Sequence, residues 1–86
     1  VLNMKTQVIF RKFSEGDIIA LFPNEIADSS NNIMSYQHIG QHGAACPSLA
    51  LDLDVPTKTE ALKLFKELVR QGYNDLEDLT FGLERE

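Results

Sequence analysis

The stretch from Pro56 to Gly72 constrains this chain more than any other. At about 100° per residue, Ala61, Leu62, Leu64, Phe65, Leu68 and Val69 fill an arc of about 160°. Glu60, Lys63, Lys66, Glu67 and Arg70 take the remainder. Thr57 with Glu60 three residues on is a capping box, in which each residue satisfies a backbone N–H of the other. Lys63 and Glu67 are spaced to pair one turn apart, for ~0.3 kcal/mol. Arg70 suits the negative end of the helix dipole, and Gly72 is placed for a left-handed C-cap. These signals predict a helix over Lys58–Gln71. Its wide apolar face needs a flat apolar partner, and only a sheet supplies one here.

The sheet is expected from the first forty residues. Thr6 to Phe13 is rich in β-branched and aromatic residues, with Val8 and Phe10 on one face and Ile9, Arg11 and Phe13 on the other. Ser14-Glu15-Gly16-Asp17 is turn chemistry, and Ile18 to Phe22 follows at once, which together read as a hairpin. Pro23 cannot donate to a ladder and is expected to end that strand. Asn24 to Asn32 is a loop by composition. Ile33 to Ile39 is a third strand, with Met34, Tyr36 and His38 on one face and Ile33, Ser35, Gln37 and Ile39 on the other. Gly40, Gly43 and Pro47 break regularity after it. Leu49, Leu51 and Leu53 alternate with Ala50, Asp52 and Asp54, as in a short edge strand or an extended stretch pinning a loop to the core. After Tyr73, Leu76, Leu79 and Phe81 fit either a strand or a short helix, and a final strand rejoining the sheet is the preferred reading. The expected fold is α+β: a small antiparallel sheet of three to four strands, covered on one face by one helix, in the order β-β-β-α-β.

Eighty-six residues hold one core, expected over residues 4–86, with 1–3 ahead of Met4 as an upstream extension or cloning remnant. So short a chain spends most of its apolar residues on that core and keeps few to wall a deep pocket. Its size favours a binding module or an obligate oligomer over an enzyme. A net charge of −5 argues against nucleic acid as the main partner. No run approaches the roughly 18 apolar residues of a membrane span, and no signal-peptide pattern opens the chain, so a cytoplasmic location without a membrane partner is expected. The lone cysteine, Cys46, excludes an internal disulfide framework.

The densest cluster of reactive side chains is Tyr36, His38, Gln41, His42 and Cys46. Three readings of it stay open. His38, His42 and Cys46 are four apart, and these are zinc-ligand types, but the glycines and Pro47 oppose the helix that would align them. Cys46 with a histidine base is a nucleophile arrangement, yet nothing nearby beyond the imidazoles favours a thiolate. In the structural reading His38 packs beside Tyr36, the Gly-Gln-His-Gly segment is a shaped turn, and Cys46 is a small buried hydrophobe. No cofactor is implied. The acidic residues are placed mostly as solvated faces: from Ala44 onward nine acidic residues stand against five basic ones. Such an acidic half also fits an inhibitor that occupies a basic groove.

Several segments together resemble a family of short uncharacterised bacterial proteins, many on phage or conjugative elements. They are Lys5-Thr6-Gln7-Val8-Ile9-Phe10-Arg11, Ile19-Ala20-Leu21-Phe22-Pro23, Ser35-Tyr36-Gln37-His38-Ile39-Gly40-Gln41-His42, Pro56-Thr57 and Gly72-Tyr73. The resemblance covers most of residues 4–74, and the acidic tail from Asn74 departs from it. It implies a bacterial cytoplasmic origin in mobile DNA and a deliberate constellation of Tyr36, His38, Gln41 and His42, but no activity. The resulting expectation is a small non-enzymatic protein-interaction module whose binding surface includes those four residues. A homodimer is expected through the sheet face that the helix leaves uncovered. The alternatives are a small metal-dependent or thiol enzyme using His38, His42 and Cys46, and the acidic inhibitor.

Overall fold

A computed structural model describes residues 6–37, 41–73 and 75–82, with residues 41 and 42 described as backbone only. The strands are β1 (Thr6–Lys12), β2 (Ile18–Ile26), β3 (Ile33–Gln37), β4 (Gln41–Ala45) and β5 (Leu76–Asp78). A single turn of helix, α1 (Leu49–Asp52), and the long helix α2 (Lys58–Arg70) lie between β4 and β5. One five-stranded sheet runs in the order β4-β3-β2-β1-β5. Its pairs are antiparallel except β1 with β5. The α+β class is as expected, with five strands rather than three to four.

The long helix begins and ends where its caps dictate. The Glu60 N–H donates to Thr57 Oγ1 at 3.2 Å, and the Thr57 N–H donates to Glu60 Oε1 at 2.9 Å. At the other end Gly72 takes φ +112°. The Gly72 and Tyr73 N–H groups then bond back to the carbonyls of Val69 and Leu68, a Schellman closure that a β-carbon at Gly72 would strain. Ala61, Leu64, Phe65 and Leu68 meet Val8, Phe10, Ala20, Phe22, Tyr36 and Leu76 in one core. Phe10 and Phe65 lie 6.4 Å apart and tilted, and Tyr73 stacks on Phe22 at 5.3 Å.

Three local expectations are corrected. First, β2 does not stop at Pro23. It continues to Ile26, which pairs with Ile33 across a register shift, and that irregularity accommodates the missing proline N–H. Second, the Gly43 region is a strand and not a shaped turn. Pairing with β3 in register Gln37↔Gln41 to Ile33↔Ala45 overrides the weak strand propensity of glycine and alanine. Third, Leu49–Asp52 is a helical turn and not an edge strand. Leu49, Ala50 and Leu53 pack on Ile19, Leu21, Ile33 and Ala45, whereas Leu51 is 88% exposed. The spacing Leu49–Leu53 serves a helix as well as alternation serves a strand, and the helical solution turns Leu51 outward. Backbone bonds in both directions between Lys12 and Asp54 tie the end of this segment to β1. Arg11 Nε donates to the Ala50 carbonyl at 2.7 Å. The face expected to lie open for a homodimer is therefore covered by the 46–55 segment.

Two predictions test this layering. Leu68→Ala, at 0% exposure, should lower unfolding free energy by about 2–5 kcal/mol, whereas Leu51→Ala should stay within about 0.5 kcal/mol in chemical denaturation. A large loss at Leu51 would restore the edge-strand reading. The second concerns Glu60, which lies 2.8 Å from Lys12 Nζ. The Lys12 ammonium, and next the Thr57 N–H, hold this carboxyl at about 2, below its usual 4.5. Folding lowers this pKa, so the ion pair's stabilisation is present above the unfolded value and is lost as pH falls through about 2. The stability gap between wild type and Glu60→Gln, which keeps a capping oxygen, should be constant at neutral pH and close progressively below pH 4.5. A gap that is flat through that window would exclude the charge effect.

Candidate functional site

Tyr36 is fully buried beneath α2, and its hydroxyl donates to a Glu67 carboxylate oxygen. It therefore presents no surface to a partner, and its expected place in an exposed binding patch is corrected. The cause is the strand period: Tyr36 shares the helix-facing side with Phe10 and Ala20 in the register Phe10↔Ala20↔Tyr36. His38 lies outside the described residues. Gln41 and His42 belong to β4, where their backbones pair with Gln37 and Tyr36, and their side chains lie outside the description. The three of these residues that are described thus divide between the core, at Tyr36, and one edge of the sheet, at the Gln41 and His42 backbones.

Cys46 is exposed and not the small buried hydrophobe that its neighbours suggest. Its Sγ lies 3.0 Å from Ser48 Oγ. Hydrogen bonds from the Ser48 hydroxyl and backbone lower the thiol below its usual range, against weaker opposing effects of desolvation and then of Asp52. The metal reading needs His38 and the His42 side chain, both outside the description. Among the described residues, no group of three His, Cys, Asp or Glu is placed to hold a metal ion.

An open groove of about 430 Å³ runs between the β1–β2 turn, at Gly16–Ile18, and the polar stripe Glu60, Lys63, Glu67 and Arg70 of α2. Acidic and basic groups alternate along this stripe, and Glu60 is already engaged by Lys12, so the groove has no single electrostatic character.

The two edges of the sheet differ sharply. At one end β5 has three residues, two of them acidic. Asp78 is buried, and its Oδ1 accepts from the Thr80 N–H at 2.7 Å. Thr80 Oγ1 in turn accepts from the Phe10 N–H at 2.8 Å, which closes that ladder with a turn. At the other end β4 reads Gln-His-Gly-Ala-Ala, with Gly43 and Ala44 exposed. Among the described residues no strand pairs with its outer side. From Ser29 to Leu51 the chain has no Asp, Glu, Lys or Arg, so β3, β4 and the start of α1 are free of formal charge. This tract is visible in the sequence, but its meaning depends on knowing that β4 is an edge. Charged side chains, prolines and bulges are the usual devices that keep a sheet edge from pairing. The five residues of β4 have none of them. The strongest candidate site is therefore backbone: the outer edge of β4.

No family model, curated protein or solved structure matches this chain. Among the described residues, no helix is long and apolar enough to cross a membrane.

Tyr36→Phe should retain the fold and lower stability by about 1–2 kcal/mol, through loss of the hydroxyl donor to Glu67. Chemical denaturation checks this, and an unchanged midpoint would show that the contact contributes nothing.

Proposed function

We propose that this protein is a small non-enzymatic protein-interaction module, which takes an extended segment of another chain as a sixth strand on β4. The observation that carries this reading is the open, uncharged edge at Gln41–Ala45 in a chain whose net charge is −5. In strand addition, backbone hydrogen bonds supply affinity and flanking side chains supply selectivity. The backbones of Gln41 and His42 belong to that edge, and the proposal assigns these two residues to the strand that receives the partner. The cytoplasm of a bacterium, on a mobile element, is the setting that the SYQHIGQH resemblance supports.

An edge without charges also separates this reading from the acidic inhibitor. Attraction to a basic groove is screened by salt, whereas strand addition through backbone groups is much less affected. The exposed, lowered thiol of Cys46 is the single observation that favours a thiol enzyme instead. Affinity capture from the native host's cytoplasm tests all three. Ala44→Lys puts a charge on the edge, Cys46→Ser removes the thiol, and Leu62→Lys adds a charge on the exposed side of α2 as a control. The proposal expects a partner retained at about 0.5 M salt by wild type, Cys46→Ser and Leu62→Lys, and lost by Ala44→Lys. A partner that survives Ala44→Lys but washes off with salt would favour the inhibitor, and one lost with Cys46→Ser would favour thiol chemistry.

A further inference from the structure

We infer that the strand accepted by β4 is β4 of a second copy of this chain, paired antiparallel about a two-fold axis at Gly43. The inference rests on the strand-addition reading above and names its partner. A two-fold axis normal to the sheet sets Gln41 opposite Ala45, His42 opposite Ala44, and Gly43 opposite itself. Every cross-strand pair then contains at least one small residue, so the two backbones approach without a clash of large side chains. A β-carbon built at Gly43 would meet nothing within 4 Å, so the space beside the axis is open. The same rotation keeps each face of the sheet on its own side. The product is one continuous ten-stranded sheet with both α2 helices on one face and both 46–55 segments on the other.

Charge leaves the β4 edge as the least costly place for a second copy. Two molecules of net charge −5 repel one another, and close contact is least costly where neither has charges. The Ser29–Leu51 tract meets that condition, because β4 and its neighbour β3 have no formal charge in either copy. The remaining repulsion is long-range and falls as salt screens it. Dimerisation should therefore tighten with salt, opposite to capture of a basic partner. Pro47 lies two residues beyond β4, so the junction is limited to about five residues a side. Such a junction is smaller than standard protein interfaces, which implies weak, concentration-dependent association.

Sedimentation equilibrium on the full chain tests the inference, with Ala44→Lys, Ala44→Glu and an equimolar mixture of the two. Ala44 is exposed, so neither variant needs to disturb the core, and circular dichroism checks that both fold. The two copies of residue 44 fall diagonally across the axis on one face, within reach of long side chains. Wild type should show a monomer–dimer equilibrium with Kd of about 10–1,000 μM, tightening by at least about threefold between about 0.05 and 0.5 M sodium chloride. Each variant alone should weaken association by at least about tenfold, and the mixture should recover most of that loss. A wild type that stays monomeric at about 1 mM, a dimer indifferent to Ala44→Lys, or a mixture no better than its components would overturn the inference. If wild type is monomeric and a host protein is still captured in an Ala44→Lys-sensitive way, the second copy is excluded while strand addition stands. If capture and association both ignore Ala44→Lys, both readings fall.

Discussion

The contact on which everything else depends is the apolar stripe of α2, with Ala61, Leu64, Phe65 and Leu68, seated on Val8, Phe10, Ala20 and Phe22. A helix of 13 residues is marginal alone, and a sheet of short strands needs one face dry. Each supplies what the other lacks. Because β1 and β2 form the middle of the sheet, this packing holds the hairpin that templates β3, and β3 in turn templates β4. The edge proposed to bind is thus two strands removed from the contact that sustains it. It can be chemically plain because it does not have to stabilise the fold.

The second layer has a different logic. Leu49, Ala50 and Leu53 close the opposite face over Ile19, Leu21, Ile33 and Ala45 with a single helical turn and no long helix. Tying that turn down falls to polar contacts: the Lys12–Asp54 backbone pair and the Arg11 side chain on the Ala50 carbonyl. With α2 packed on one face and the Leu49–Leu53 turn on the other, an edge is the part of the sheet proposed for a partner. One edge is short and acidic, and the other is longer and uncharged.

Much of this architecture was readable in the residues, for identifiable reasons. The α2 boundaries followed from the Thr57–Glu60 box and Gly72, because caps are local chemistry. The β1–β2 hairpin and its inward face followed from period-two alternation around Gly16. The misreadings share a cause: in each, a tertiary partner overrode a local signal. Pro23 and Gly43 look like breakers until an adjacent strand pairs across them, and the Leu49–Leu51–Leu53 alternation looks extended until a curved apolar surface prefers a turn. The same holds for the site. Tyr36 and His42 share a sequence motif and adjacent register positions, but Tyr36 is held in the core by Glu67, a partner 31 residues away that no motif announces.

The central claim is that the outer edge of β4 stands unpaired in the isolated molecule and is there to be paired. Amide hydrogen exchange of Gly43, Ala44 and Ala45, followed by NMR as a function of protein concentration, addresses it most directly. Alternate residues of an antiparallel edge strand direct their N–H groups outward. The account predicts that the outward amides exchange rapidly in dilute protein and slow as concentration rises, while the inward ones stay protected throughout. Uniform protection at every dilution would mean that the edge is already covered, and outward amides that never slow would deny a second copy its place there.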